Sequence, residues 1–208
     1  LEMCAAGCPK PAMRAVEYAR THKVPLHVRS AFTWEQGTWI DEEDPMMEQA
    51  MVSGVVGDAS EAKITITDVP DQPGIAGRLF RGLADRDVNV DMIVQNVSEE
   101  GRTDISFTVP RADLAAGREV SEALAADIGA AGVVPDDSIA KVSLVGAGMQ
   151  SHPGVAATVF ETLAANDINI EMISTSAIRI SCIVRETQLD QATAVLHRAF
   201  ALDEVRTA

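Results

Sequence analysis

The chain has 208 residues, enough for two small domains that each bury a modest core. Its 31 acidic residues against 17 basic ones leave a net charge of −14, and no basic cluster exceeds two residues, which argues against nucleic acid as a partner. No apolar run is long enough to span a bilayer and no signal peptide is visible, so the expectation is a cytoplasmic protein without a membrane partner.

The sequence begins at Leu1 rather than Met and reads as a fragment of a longer chain. Its three cysteines, Cys4, Cys8 and Cys182, read as small apolar fillers in a reducing compartment. Cys4 and Cys8 lack the second Cys or His pair of a zinc site, so no metal is expected. Ala12–Thr21 is predicted helical, with Met13, Val16 and Ala19 on one side. A short strand is predicted at Val24–Val28, and a turn at Gly37-Thr38. The acidic run Asp41-Glu42-Glu43-Asp44 reads as a solvated linker. A solitary strand, Met51–Val56, then precedes the polar stretch Asp58-Ala59-Ser60-Glu61.

From there the chain repeats itself. Pro73 and Pro153, Gly74 and Gly154, Phe80 and Phe160, Leu83 and Leu163, Asn89 and Asn169, and Met92 and Met172 all lie 80 residues apart, the mark of one supersecondary unit used twice. In each copy a strand (Lys63–Val69, Lys141–Gly146) leads to a Pro-Gly turn. Helix-face spacings follow: Ile75, Leu79 and Leu83 with Ala76 and Phe80, then Val155, Val159 and Leu163 with Ala156 and Phe160. Next comes an alternating strand, with Val88, Val90, Met92 and Val94 on one face and Asn89, Asp91, Ile93 and Gln95 on the other. Its second-copy counterpart sets Ile168, Ile170 and Met172 against Asn169, Glu171 and Ile173. A further strand (Thr103–Val109, Ile178–Val184) and a polar-apolar helix, Gln188–Phe200 in the second copy, close the unit.

That succession is one strand short of a ferredoxin-like βαββαβ unit. Gly132–Asp136 is the candidate for the missing strand of the first unit, and Met51–Val56 for that of the second. The predicted fold is therefore α+β: two ferredoxin-like βαββαβ units in tandem, the second discontinuous. The expected domains span residues 62–137, and 49–57 plus 139–203, with residues 1–45 outside both.

Each Pro-Gly turn delivers the chain into a helix whose first N–H groups lack internal partners, where the dipole adds positive potential. A carboxylate suits such a place. Gly74 leaves the approach open, and the amides of Ile75 and Ala76 follow it. An ammonium group has Asp91, Asp71 or side-chain carbonyls as acceptors, with Asn89 and Gln95 on the same strand face as Asp91. A carboxylate receptor beside an ammonium receptor describes a free α-amino acid site; the alternative is a plain turn beside a solvated strand face. Catalytic signatures are absent: no Gly-x-Ser-x-Gly, no Walker A loop, no dinucleotide fingerprint after a strand. Val145-Gly146-Ala147-Gly148 reads as the turn before a helix, not as a phosphate loop. No catalytic residue and no cofactor are expected.

The stretches Asp71-Gln72-Pro73-Gly74, Val88–Asn96, Lys141–Met149, Ser151-His152-Pro153-Gly154-Val155 and Ile173-Ser174-Thr175-Ser176 together closely resemble the tandem ACT domains of aspartate kinase. Ala15–Ala19 and Val24–Ser30 resemble the end of that family's kinase domain. The resemblance implies a regulatory β subunit, or an excised regulatory region, of the enzyme that makes aspartyl phosphate from aspartate and ATP. The kinase domain's Lys-containing Gly-rich motif is missing, so no turnover is expected from this chain alone. The family places effectors in a crevice between ACT units. Carried over, Asp71, Gly74, Ile75, Ala76, Asn89, Asp91 and Gln95 match the first unit's effector positions. His152, Gly154, Val155, Asn169, Ile170 and Glu171 match those of the second. The implied partners are free amino acids (threonine first, lysine second), a second copy of the chain in a homodimer, and a catalytic aspartate kinase α subunit. Two departures stand out. Ala177 replaces the Glu of the family's Ser-Thr-Ser-Glu, which removes a counter-charge for lysine. Gly7-Cys8-Pro9-Lys10-Pro11 displaces the nucleotide-proximal Lys. The alternative to an aspartate kinase subunit is a stand-alone amino-acid-binding ACT module serving another enzyme.

Overall fold

The computed structural model describes residues 1–8, 10–41, 52–96, 101–146, 149, 152 and 154–202. Met51, residues 42–44 of the acidic run, and Ala147 and Gly148 of the Gly-rich turn lie outside the described residues, as do Pro9, Ser151 and Pro153. The chain divides into two compact units. One comprises Leu1–Asp58, Val142–Cys182 and Gln188–Ala208, and the other Ala59–Lys141 with Ile183–Thr187.

Before the repeats stand a short helix α1 (Glu2–Ala5), helix α2 (Met13–Thr21) and an antiparallel hairpin of β1 (Leu26–Val28) and β2 (Thr38–Ile40). Val16 and Ala19 are the buried residues of α2, while Met13, predicted to share their side, is exposed. The turn at Gly37 is present with φ 73°, and Thr38 already belongs to β2. Four-residue α1 was not predicted, because one helical turn carries no periodicity to read.

The first repeat runs β4 (Glu61–Pro70), α3 (Ile75–Ala84), β5 (Ile93–Gln95), β6 (Arg102–Pro110), α4 (Leu114–Ile128) and β7 (Gly132–Asp136). The four strands form one sheet in the order β5-β6-β4-β7, antiparallel at every pairing. Alternation along β4 sends Ile64 and Ile66 inward, where they meet Leu79 and Leu83 of α3 and Ile105, Phe107 and Val109 of β6 in one core. Phe80 packs edge-on against Phe107 at 5.7 Å.

The second repeat runs β8 (Ile139–Val145), α5 (Val155–Ala165), β9 (Met172–Thr175), β10 (Arg179–Arg185) and α6 (Leu189–Ala199). Its sheet has the order β3-β8-β10-β9, in which β3 (Gly54–Asp58) takes the place that β7 has in the first sheet. The solitary strand thus starts later than its apolar run suggested and extends through Gly57, whose Cα lies against Thr193 and Leu189 of α6. Both sheets have the βαββαβ strand order with their fourth strand beside the first, so the fold is α+β.

Candidate functional site

The two Pro-Gly turns are built alike. Gly74 and Gly154 precede α3 and α5 with φ of 96° and 108°, a region that costs any residue with a Cβ. Both face open space: an added Cβ at either would meet no atom of the described residues within 4 Å. In the first turn the Asp71 N–H donates to the Gly101 carbonyl at 2.8 Å, tying the loop to the sheet. The Ile75 N–H is spent on the Gln72 carbonyl at 3.4 Å. Among the described residues no backbone carbonyl takes the Ala76 N–H, and no side chain caps α3. Of the two amides picked from the sequence, Ala76 is therefore the open donor.

The strand after α3 alternates as predicted over its whole length: Val88 and Met92 are buried, while Asn89, Asp91, Ile93 and Gln95 are exposed. Only Ile93–Gln95 pair as strand, because the Val88 N–H turns back to the Leu83 carbonyl at the end of the helix. Asp91 and Met92 are held by Thr108: the Asp91 N–H donates to its carbonyl and the Met92 N–H to its hydroxyl, both at 3.2 Å. In the second repeat, His152, Gly154 and Asn169 are exposed, Val155 is buried, and Ile170 and Glu171 are half-buried just before β9.

One arrangement escaped the reading from sequence. The Asp91 carboxylate is not left to solvent. Lys141, 2% exposed, sets its ammonium 2.6 Å from Asp91 Oδ2 and bonds Glu61 Oε1 as well. Glu61, read beforehand as part of a polar connection, is the first residue of β4 and is buried at 7% exposure. Its other oxygen, Oε2, is buried with no hydrogen-bond partner among the described residues. Burial draws the Lys141 ammonium toward a lower pKa, but the two carboxylates outweigh it and hold the group above its ordinary value. Burial pushes the Glu61 carboxyl up, and Lys141 offsets only part of that push. A signal was present in the register: Glu61 and Lys141 are themselves 80 residues apart, opposite charges at equivalent positions of the two repeats.

Two open clefts lie away from these residues, one beside Arg14, Tyr18 and Leu26, the other beside Arg111, Leu114, Arg118 and Glu122. Neither includes a predicted site residue. No cluster of three His, Cys, Asp or Glu side chains suited to a metal occurs among the described residues, and no described helix is long and apolar enough to cross a membrane.

Comparison with known proteins bears on both repeats. Models of the ACT domain match residues 63–129 and 142–200. The aspartokinase of Mycolicibacterium smegmatis is 50% identical over 206 residues, covering 97% of this chain and 49% of that protein. The chain thus spans about half the length of the curated relatives it matches. A solved structure of aspartokinase alpha and beta subunits contains a chain 48% identical, with a TM-score of 0.68 over 72% of this chain and 98% of that one. The ligand-free regulatory subunit of aspartate kinase from Thermus thermophilus is 41% identical, with a TM-score of 0.69 over 72% of this chain and 99% of that one.

Proposed function

Because the chain belongs to the aspartokinase family and corresponds to its regulatory region of two tandem ACT domains, we propose that it senses free threonine at the first-repeat turn. Lysine is the weaker ligand. The observation that carries this reading is the doubled turn: a left-handed glycine with open space beside it, opening an uncapped helix in each repeat. The α-carboxylate is received by the Ala76 N–H and the positive end of α3. Asp71, exposed beside the turn, accepts the ammonium, and Gln95 bonds the threonine hydroxyl. His152, Gly154 and Val155, with Asn169, Ile170 and Glu171, form the equivalent half-site of the second repeat. Lysine needs a counter-charge for its ε-ammonium, and the position that would supply it is exposed Ala177.

In this reading threonine acts as feedback inhibitor of the aspartate-family pathway, in the cytoplasm, and the chemistry resides in a catalytic α subunit that this chain regulates. The chain pairs with a second copy through sheet edges or helix faces, since β5, β7, β3 and β9 are edge strands. Residues 1–45 are the end of a kinase domain. In support, the longer aspartokinase relative aligns with 97% of the chain, whereas the solved regulatory subunit covers 72%. Phe32 and Trp34, at 98% and 95% exposure, then mark a surface that the rest of the kinase covers.

Titration calorimetry with threonine and lysine tests the assignment. Threonine should bind more tightly, and Ala177→Glu should raise lysine affinity. Lysine binding as tightly as threonine, or no binding of threonine, overturns it. Co-purification decides between this reading and a stand-alone ACT module: an aspartate kinase α subunit should come down with the chain.

A further inference from the structure

We infer that Arg102 is the positioning residue of the first-repeat turn: it clamps a strained bulge in β4 and so aims the Asp71–Gly74 segment at its ligand. The inference rests on the amino-acid site proposed above and adds the side chain that holds it in shape.

The pairing of β4 with β6 slips between Ile66 and Val69. Ile66 lies opposite Ile105 and Val69 opposite Thr103, so β4 carries one residue more than β6 over that stretch, which makes a bulge. Asp68 sits in it with φ of 56°, a left-handed conformation that costs a residue with a Cβ and persists where the surroundings hold it. A bulge bends its strand. This one lies just ahead of Pro70, the last residue of β4, so it sets the direction in which the chain leaves the sheet for the turn.

Arg102 holds Asp68 by its side chain and its carbonyl together. The Arg102 Nε lies 2.6 Å from Asp68 Oδ1. Nη2 donates to the Asp68 carbonyl and to the Gly129 carbonyl, each at 2.6 Å. Gly129 caps α4 ahead of β7, so one guanidinium ties β6 to β4 and to the α4–β7 connection. A planar fork of fixed donors suits a hold on three points, and an ammonium does not reproduce it. The Asp68 N–H is taken as well, by Asp104 Oδ1 at 2.9 Å.

Both arms of the proposed site are tied to the neighbours of Arg102. Arg102 lies opposite Pro70 in the sheet, and the Gly101 carbonyl accepts the Asp71 N–H at 2.8 Å. The Thr103 hydroxyl donates to the carbonyl of Asn96, next to Gln95. Asp71 and Gln95 are the proposed partners of the ligand ammonium and hydroxyl, so releasing Arg102 loosens both at once. A site that loses its supporting contacts must be ordered by the ligand and binds it more weakly, although none of its own groups is gone.

Arg102→Gln removes the charge and the fork. Arg86→Gln is the control, because it breaks another exposed ion pair of the same repeat, with Glu119, beyond the C-terminal end of α3. Threonine affinity is measured by calorimetry and hydrogen exchange of the Asp71 amide by NMR, with thermal melts in parallel. Arg102→Gln should weaken threonine binding about tenfold and speed Asp71 exchange about tenfold, while Arg86→Gln should change either by less than about twofold. Arg102→Lys, which keeps the charge without the fork, should fall between them. Equal effects of Arg102→Gln and Arg86→Gln overturn the inference. So does a lower melting temperature with binding and Asp71 exchange unchanged, the mark of a merely structural pair. If Arg102→Gln does not fold, Asp104→Ala takes its place: Asp104 is exposed, and its loss removes the acceptor of the Asp68 N–H. It should weaken threonine binding about threefold and speed Asp71 exchange, and no change in either overturns the inference. Failure of the unsubstituted chain to bind threonine overturns the site reading itself, and the positioning role with it. Binding by that chain with no response to the loss of the clamp overturns this inference alone.

Discussion

Replacing Lys141 by Met should make the stability of the protein depend on Glu61. The stem of Met fills the space of the lysine methylenes, so the change removes a charge without opening a large cavity. Asp91, partly exposed, recovers its hydration, but Glu61, at 7% exposure, does not. A buried carboxylate that loses the ammonium bonded to it responds by taking up a proton. Neutralising at pH 7 a group whose ordinary value is 4.5 spans 2.5 pH units. At about 1.36 kcal/mol per unit this sets a ceiling of about 3.4 kcal/mol on the penalty, since burial already raises Glu61 in the unsubstituted chain.

The sign of the pH dependence follows. In the variant the folded-state pKa of Glu61 lies above its unfolded value, so above pH 4.5 the folded state holds the extra proton. Stability then falls as pH rises from about 4.5 toward the raised folded value, and the penalty should shrink by up to about 1.36 kcal/mol for each unit of acidification below pH 7. Urea denaturation at pH 5 and pH 7 reads this directly. With a slope of about 2 kcal/mol per molar, the midpoint should drop by up to about 1.7 M at pH 7 and far less at pH 5. Adding Glu61→Gln should restore most of the loss. A penalty under about 1 kcal/mol at pH 7, or one of equal size at both pH values, refutes the dependence of Glu61 on Lys141.

Gly74→Ala meets no neighbour within 4 Å, so its cost is the left-handed backbone alone, about 1–2 kcal/mol in a thermal melt. Threonine affinity should fall with it, measured by calorimetry on the folded variant. Leu79→Ala, at a position of 0% exposure within the first-repeat core, should cost about 2–5 kcal/mol by denaturant titration. Cys182 is 1% exposed and burial pushes its thiol up to about 11, so it should resist a thiol reagent at pH 8 until the protein unfolds, while the half-buried Cys4 and Cys8 react first.

The parts of the fold legible in the sequence are those in which one face is buried and the other wet. The faces of α3 and α5 follow from Ile75, Leu79 and Leu83 and from Val155, Val159 and Leu163, all buried. The alternation of Val88–Gln95 survives in burial even where ladder bonds are missing, because the face against the helix stays apolar whether or not the strand is paired. What was illegible has a charge or a glycine where an apolar residue would signal burial. Glu61 reads as connection, and only its partner Lys141, distant in sequence, lets it enter a strand. Gly57 extends β3 past the apolar run because α6 packs directly onto its backbone, which needs no side chain. Among the site residues, the sequence placed Gly74 and Ala76 correctly at an open turn but could not show that the Ile75 N–H is used by Gln72.

The two repeats agree in backbone and differ in charge, and that difference bears on how many ligands one chain can distinguish. Gly74 and Gly154 share a left-handed conformation, and Asp87 and Asp167 share φ of 57° at the ends of α3 and α5. Backbone of this kind fixes where a helix N-terminus points, so on the proposed reading both turns would receive a carboxylate in the same way. The acidic strand residue is also doubled, as Asp91 and Glu171. The residues 30 positions before them are not: Glu61 stands where the second repeat has Lys141. A single cation at this pair of equivalent positions cannot serve both repeats alike, and it is committed to Asp91 and Glu61. Identical backbone with unequal electrostatics recognises the shared part of an α-amino acid in the same way while discriminating differently among side chains. On the proposed reading, the ammonium acceptor Asp71 of the first turn answers to Ser151 in the second repeat, so titration should resolve two affinities for any amino acid that occupies both repeats.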